Sequence, residues 1–366
     1  MTRVLFLTKY GRKAASTRLR MLQYFPMLED EGITSILSPL FDDSYLAHKF
    51  SHGTVSARKA LPALLRRTGS MVRAGQADVI VLQYELFPYL PGFLELLLRA
   101  TKIPYVYDFD DAVFHAYDLH RSSLVRLLLR NKIRNAIKGA RAVLAGSPYL
   151  VEYARTINPH VEWAPTCVDI SRFPVKRWDD PAEKPFTIGW IGAPSSVQFA
   201  AEAIPAIREL AKRIPVRLVY VGSGAVRYDG CVPEIREWSE ATEVSEMLQF
   251  DVGIMPLPDE PWTRGKCAFK LIQYMACGLP VIASPVGMNR DVVTAGENGF
   301  LASSTAEWLQ AFDALAARVD LRRAMGTNGR RRVERDFTTQ VGGATLLRAI
   351  RSAAGVGLET LAVEGA

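Results

Sequence analysis

Three cations lie close together in the second half of the chain: Arg264, Lys266 and Lys270. The hydrophobic spacing around them predicts a helix over 268–277. The first amides of a helix carry partial positive charge and bind anions; here they belong to Cys267 and Ala268. Cations beside such amides suit a ligand with two or more negative charges, such as a diphosphate. A basic helix start that is merely solvated is the alternative interpretation.

A group of carboxylates follows a short apolar run in the first half of the chain: Asp108, Asp110 and Asp111. Such a group is unfavourable unless a cation, an arginine or a ligand rich in hydroxyls meets it. We interpret Asp108 and Asp110 as contacts to the hydroxyl groups of a ligand, with His115 as a helper. The alternative is that these carboxylates cap the next helix and pair with arginine.

Another candidate, Arg18, lies at the start of a predicted helix after the first predicted strand. An arginine at that position is a candidate contact to a phosphate group. A solvated basic loop is an equally good interpretation.

Short, β-rich apolar runs alternate with helical periodicity along the chain, which is the pattern of βαβ units around a parallel sheet. The predicted strands are 3–8, 33–37, 78–83, 104–108, 141–146, 186–191, 216–221, 251–255 and 280–283. The predicted helices are 17–30, 90–100, 121–138, 148–156, 196–213, 242–248, 268–277 and 305–317. Gly278 and Pro280 mark the end of the helix over 268–277.

A length of 366 residues suits two domains. Proline and charged residues with little apolar periodicity predict a linker over 171–185. We therefore predict an α/β fold of two Rossmann-like domains, over 1–170 and 186–339. Ligands of such sheets bind outside the carboxyl ends of the strands, which places the site in a cleft between two facing domains.

The composition, 49% hydrophobic and 23% charged, excludes a disordered or fibrous protein. No apolar run is long enough to span a membrane, and the first residues lack the features of a signal peptide. The four cysteines are scattered without a CxxC pair, which favours reduced thiols over disulfides or a zinc site. We expect a cytoplasmic protein.

The net charge of +7 is unevenly distributed. Residues 1–175 contain 23 cations against 15 acids, and the remaining residues contain 22 against 23. The segments 45–77 and 119–151 contain no acid. In the second segment the helical spacing of apolar residues predicts one amphipathic helix; they are Leu124, Leu127, Leu128, Ile133 and Ile137.

Basic amphipathic segments are typical of membrane-surface elements, where each cation contributes about 1 kcal/mol at an anionic leaflet. We therefore expect segments 45–77 and 119–151 to bind an anionic membrane, which would make the protein peripheral on the inner face of the cell membrane. No nucleic-acid-binding motif is present, so nucleic acid is not an expected partner. A solvated basic surface is the remaining alternative.

The stretch 265–301 resembles the donor-binding region of family 4 glycosyltransferases, retaining enzymes with the GT-B architecture. Further segments are similar to the same family: DVGIMPL (251–257), IGWIG (188–192), VYVGSG (219–224) and RRRVERDFT (330–338). The resemblance implies a nucleotide-sugar donor in the second domain and a hydroxyl acceptor in the first. It also implies that 340–366 pack back on the first domain, and that no metal or other cofactor is obligatory.

The resemblance also implies donor-binding roles for residues of this chain, namely Gly192, Ser195, Gly222, Arg264, Lys266, Cys267, Ala268, Lys270 and Gln273. Two glutamates common in the family are replaced here by Gly265 and Gln273; the glutamine amide can still hydrogen-bond ribose hydroxyls. The glycines at 192 and 222 follow predicted strands, and tight turns that need glycine are an equally good interpretation. Glu243 and Trp238 could contact the nucleoside, but we favour a helix cap for Glu243 and a core aromatic for Trp238.

The favoured function is transfer of a sugar from a nucleotide-diphosphate sugar to an acceptor hydroxyl, with retention of the anomeric configuration. The acceptors considered are lipid-linked, cell-envelope polysaccharide and natural-product precursors. Lys270 and Arg264 would stabilise charge on the departing diphosphate, and Asp110 completes the expected catalytic set. The predicted acceptor contacts are Arg18, Asp108, Asp110 and His115. The alternatives are a nucleotide-sugar epimerase of the same fold and a non-catalytic relative that binds nucleotide sugars.

Overall fold

The computed structural model describes residues 2–45, 57–178 and 184–355. These residues form two compact units. Unit 1 contains the described residues up to Thr166 and again from Thr339, and unit 2 is Cys167–Thr338.

Unit 1 contains a six-stranded parallel sheet in the order β2-β1-β3-β4-β5-β6. Its strands are β1 (Thr2–Tyr10), β2 (Ile33–Phe41), β3 (Val79–Gln83), β4 (Tyr105–Phe109), β5 (Ala142–Ala145) and β6 (Val161–Trp163). Side chains alternate along β1: Val4 and Phe6 enter one hydrophobic core, Leu5 and Leu7 another. Apolar burial on both faces is expected of a parallel sheet covered by helices on each side.

The helices of unit 1 cover these faces. They are α1 (Ala15–Arg20), α2 (Phe25–Asp30), α3 (Ala57–Arg73), α4 (Leu97–Ala100), α5 (His115–Asp118), α6 (Ser123–Leu129), α7 (Lys132–Gly139) and α8 (Pro148–Arg155).

Unit 2 contains a second six-stranded parallel sheet in the order β12-β11-β10-β7-β8-β9. Its strands are β7 (Phe186–Ile191), β8 (Val216–Val221), β9 (Glu234–Arg236), β10 (Val252–Met255), β11 (Val281–Ala283) and β12 (Gly299–Leu301). Its helices are α9 (Ile204–Ala211), α10 (Glu243–Met247), α11 (Pro261–Arg264), α12 (Phe269–Ala276), α13 (Asn289–Val292), α14 (Thr305–Ala317) and α15 (Val319–Asp336).

The last helix, α16 (Thr339–Ala354), belongs to unit 1 although it follows unit 2 in the chain. Ala349 and Ile350 are fully buried in the core beside β1. At the surface of the same helix, Arg348 pairs with Glu162 at 3.1 Å.

The strand order reverses once in each sheet, between β1 and β3 in unit 1 and between β7 and β10 in unit 2. Parallel sheets bind ligands outside the carboxyl ends of their strands at such reversals. The prediction of two Rossmann-like domains is therefore confirmed, and each unit has one position where a ligand site is expected.

Several predicted helices are shorter than their hydrophobic patterns suggested. The helix predicted over 17–30 is divided into α1, a 3₁₀ turn and α2. The helix predicted over 196–213 begins as a 3₁₀ helix and becomes α-helical only at α9. Pro26 and Pro205 lie in the first turns of α2 and α9, the helical position that proline tolerates and where a helix therefore begins anew.

The structure shows where the helix α12 ends and where the first part of the predicted linker packs. The helix α12 ends at Ala276, and Gly278 follows with a φ of 70°, which confirms the predicted helix end. The described first part of the predicted linker packs on unit 2, since Phe173 and Trp178 are buried in its core. The residues 179–183 of that linker lie outside the described part of the chain.

Candidate functional site

The loop after β7 lies at the strand-order reversal of unit 2 and begins with Gly192. A Cβ atom on Gly192 would lie 2.7 Å from Cε of Lys270 and 2.7 Å from a ring carbon of Trp190. The loop after β8 approaches the same turn, because a Cβ on Gly222 would lie 2.7 Å from the Gly192 carbonyl oxygen. Gly192, Gly222 and Lys270 thus form one group at the carboxyl edge of this sheet.

The side chain of Lys270 projects from the first turn of α12. Its ammonium lies 5.3 Å from the centre of the Trp190 ring, close enough for a cation–π contact. Trp190 is 2% exposed and fixes one side of the lysine stem. The first turn of a helix carries partial positive charge, so the lysine adds a full charge to a place that already favours anions.

The residue before α12, Ala268, has a φ of 52° and is completely buried. A left-handed backbone is costly for a residue with a Cβ and tends to occur at functional sites. This turn directs the chain into α12, on which Gln273 lies one turn later and is 6% exposed. Cys267 is half-buried, and Ser195 in the β7 loop is exposed.

The other two cations of the predicted cluster have partners around α11. Arg264 donates from Nε to Asp259 Oδ1 at 2.7 Å, and the Lys266 ammonium lies 5.4 Å from the centre of the Trp262 ring. That Arg264 and Lys266 bind a diphosphate stays a prediction. Arg264 would have to break its hydrogen bond to Asp259 in order to do so.

A Gly192→Ala substitution is expected to weaken nucleotide binding about tenfold, equivalent to about 1.4 kcal/mol. The added methyl cannot displace the buried Trp190 ring and must push the Lys270 stem aside. Calorimetric titration with nucleoside diphosphates measures the change. Gly69→Ala is the control, since nothing lies within 4 Å of a Cβ there; equal affinities of the two variants would contradict the prediction.

In unit 1, the carboxylate of Asp108 at the end of β4 is bound by Arg20 of α1. Both residues are buried, and Arg20 Nε donates to the two carboxylate oxygens at 2.9 and 3.1 Å. Arg20 Nη1 also donates to the Ala164 carbonyl at 2.8 Å. Burial alone lowers the pKa of Arg20, but Asp108 outweighs burial and holds that pKa above its usual range. The alternative interpretation, a carboxylate paired with arginine, therefore describes Asp108.

Asp110 lies two residues further on and is 9% exposed. The hydroxyl of Tyr84 donates to Asp110 Oδ1. Burial, helped by the carboxylate of Asp111, raises the pKa of Asp110 to about 6 in spite of the opposing charge of Arg20. A buried carboxyl group at the carboxyl end of β4 whose pKa is raised toward neutral pH is a candidate for acid–base work or for binding a hydroxyl.

The remaining predicted residues of unit 1 have local partners. His115 lies with Nδ1 2.9 Å from Asp118 Oδ1 and Nε2 2.8 Å from the Tyr149 hydroxyl. Arg18 donates from Nη1 to the Lys13 carbonyl at 3.0 Å. Their roles toward an acceptor or a phosphate stay predictions.

Comparison with known proteins identifies the family. Residues 185–318 match the family described as glycosyl transferases group 1, and residues 31–165 match the glycosyl transferase 4-like domain. Together these two matches cover more than two thirds of the chain. The chain belongs to the group 1 glycosyltransferases. No curated protein matches the sequence.

The fold of this glycosyltransferase is shared with solved structures of low sequence identity. Sucrose-phosphate synthase from Thermosynechococcus elongatus is 16% identical with a TM-score of 0.72, covering 98% of this chain and 100% of that one. HepE from Anabaena, solved with UDP, is 16% identical with a TM-score of 0.69, covering 96% and 100%. A Rickettsia africae glycosyltransferase is 13% identical with a TM-score of 0.67, covering 96% and 98%. The predicted GT-B architecture is confirmed.

In each unit the structure adds side chains to the candidate groups that sequence reasoning missed. Trp190 supports Lys270, Tyr84 binds Asp110, and Arg20 holds Asp108. Tyr84 follows β3 with a φ of 62°, and no sequence motif indicates that conformation. The interpretation of Trp238 as a core aromatic is wrong, because it is 38% exposed and donates from its indole nitrogen to Glu243 at 3.0 Å.

The predicted amphipathic helix in segment 119–151 of the glycosyltransferase is also wrong as a single element. It is divided into α6 and α7, and Ile133 and Ile137 of α7 are buried in the core. Lys132, counted among the surface cations, is buried and pairs with Glu95 at 2.6 Å.

The other basic segment, 45–77, extends over residues 46–56, which lie outside the described part of the chain. Within its described part, Arg67 is 1% exposed and donates to the Thr8 and Ser38 carbonyls, so it is a structural residue.

The described ranges contain no group of three potential metal ligands among His, Cys, Asp and Glu side chains. They also contain no helix with the length and apolar character to cross a bilayer.

Proposed function

We propose that this glycosyltransferase moves a sugar from a nucleotide-diphosphate sugar to an acceptor hydroxyl with retention of anomeric configuration. The observation that carries the proposal is the placement of Lys270 against the Gly192 turn, at the strand-order reversal of unit 2. HepE, which shares the fold, was solved with UDP and with UDP-glucose. That similarity supports a nucleotide sugar as the donor.

In the proposed reaction, negative charge develops on the diphosphate as its bond to the sugar breaks. The Lys270 ammonium and the amides at the start of α12, with Cys267 and Ala268 among them, would stabilise this charge. Arg264 and Lys266 would add to it, and Gln273 would bind the ribose. Because side-chain cations supply the positive charge, we expect no obligatory metal.

The acceptor is proposed to bind unit 1, with Asp110 accepting a hydrogen bond from the reacting hydroxyl. The acceptor attacks the face of the sugar that the diphosphate leaves, so the departing phosphate can take the proton and no protein nucleophile is required. We propose a lipid-linked or envelope precursor as the acceptor and a location at the cytoplasmic face of the membrane.

The test is incubation with UDP-, GDP- and dTDP-linked sugars without an acceptor, followed by chromatography and proton NMR. We expect slow release of nucleoside diphosphate from one donor, and a sugar product that first appears with the donor's anomeric configuration. A rearranged nucleotide sugar without release would indicate an epimerase. Binding without turnover would indicate a binding protein. This outcome is worth testing because Gly265 and Gln273 replace two glutamates of the family.

A further inference from the structure

Large apolar side chains are exposed around α5, α6 and α7 of unit 1. This outer patch consists of Tyr89, Phe93, Leu119, Leu124, Leu127 and Leu128, which are 57–68% exposed. Among the other described residues, Leu65 and Val232 are the large apolar side chains that reach the same exposure. Single exposed apolar residues are ordinary, but a group of six on one part of the surface indicates a binding surface.

The centre of the outer patch is α6. Leu124, Leu127 and Leu128 are spaced i, i+3 and i+4 and therefore share one face of the helix. Leu129 is 6% exposed and packs in the core, so α6 is held with its leucine face outward.

The loop that carries Tyr89 and Phe93 contacts α5 at one end and α7 at the other. The ring of Tyr89 lies 5.8 Å from that of Tyr117 in α5. At the other end, Lys132 of α7 donates to the Leu90 carbonyl at 3.2 Å. The two aromatic side chains therefore lie on a loop that contacts α5 and α7, the helices that precede and follow α6 in the chain.

The charges around the outer patch are mostly positive, and the carboxylate of Asp118, beside Leu119, pairs with His115 at 2.9 Å. Arg121, Arg130, Arg134 and Lys138 are exposed, and no acid occurs between Asp118 and Glu152. Arg126 donates to the carbonyls of His120 and Arg121 at 2.5 and 3.1 Å. Two copies of this surface would repel each other, whereas an anionic lipid surface is complementary in both charge and apolar character.

We propose that the outer patch docks on an anionic membrane surface. The leucines of α6 enter between the lipid headgroups, Tyr89 and Phe93 lie at the level of the headgroups, and the exposed arginines pair with lipid phosphates. The proposal is independent of the donor site in unit 2, because it concerns binding to lipid and not turnover.

The test is co-sedimentation of the full chain with vesicles of phosphatidylcholine mixed with phosphatidylglycerol, whose anionic headgroups attract exposed cations. The triple variant Leu124→Ser, Leu127→Ser, Leu128→Ser is expected to lose at least tenfold in lipid affinity. Raising the salt concentration is expected to weaken the binding of the unsubstituted protein, because cation–phosphate attraction is screened. Phosphatidylcholine vesicles alone are expected to bind it weakly.

Two controls separate docking from other causes. Val232→Ser removes an apolar side chain that is 69% exposed in unit 2 and is expected to leave lipid binding unchanged. An unchanged melting temperature and nucleotide affinity would show that the triple variant is folded. Three results would overturn the proposal. They are absence of binding to anionic vesicles, binding by the triple variant that equals that of the unsubstituted protein, and a dimer in sedimentation velocity that the triple substitution abolishes.

Discussion

Substitution of Lys270 by methionine is expected to lower kcat by about 10²–10³-fold, the loss seen when one group that stabilises developing negative charge is removed. Methionine keeps the apolar stem that lies against Gly192 and the Trp190 ring, so the change removes the charge and leaves most of the packing. The KM for the nucleotide sugar should change much less than kcat, because the ammonium matters most when the diphosphate departs. Steady-state kinetics with the donor found in the nucleotide-sugar panel measures both.

The matched control for this variant is Lys212→Met. Lys212 is an exposed lysine of the same unit that pairs with Glu209 at 2.7 Å, and surface pairs of this kind contribute little. We expect its kcat and melting temperature to equal those of the unsubstituted enzyme. A Lys270→Met enzyme that is equally active would remove the central support for the proposed diphosphate site.

The sequence was sufficient to predict the strands that form the middle of each sheet. Strands such as β1, β3 and β7 are buried over most of their length, so they are continuous apolar runs bounded by polar residues. The strands β6, β9 and β12 have three residues each and are partly exposed. They therefore lack the fully apolar run that predicted β11, which has the same length but is completely buried. The helix α3 was missed because Pro62 lies inside it, and proline normally ends a helix.

Lys270, Gly192 and Gly222 were given donor-binding roles from the family resemblance, and the structure brings them together; their binding of a donor stays a prediction. The contact between Arg20 and Asp108 joins residues 88 positions apart, and no local spacing reports such a contact. The pKa of Asp110 depends on burial and on several surrounding charges, which only the fold brings together. Residue types therefore identified the candidates, and only the tertiary contacts show which of these side chains meet.

Substitution of Asp110 by asparagine is expected to lower kcat/KM for the acceptor about 10²-fold at pH 7.5, near the upper end for loss of a hydrogen bond to a charged group, because the carboxylate would accept that bond from the reacting hydroxyl. Since burial raises the pKa of Asp110 to about 6, activity of the unsubstituted enzyme should fall as the pH drops below 6 and the carboxylate becomes protonated. The asparagine variant should lack this acidic limb. Initial rates between pH 5 and pH 8 test both statements.

Stability gives an independent check on the same variant, because the pKa of Asp110 is higher in the fold than the usual value near 3.9 of an exposed aspartate. The ionised carboxylate therefore opposes folding above pH 6, and removing it should leave the melting temperature at pH 7.5 equal or higher.

Asp111→Asn is the matched control for the pH profile. This variant should keep its activity at pH 7.5 and shift the acidic limb to lower pH, since Asp111 raises the pKa of Asp110. If the acidic limb persists in the Asp110→Asn enzyme, another group produces it, and Asp110 has only a structural part in unit 1.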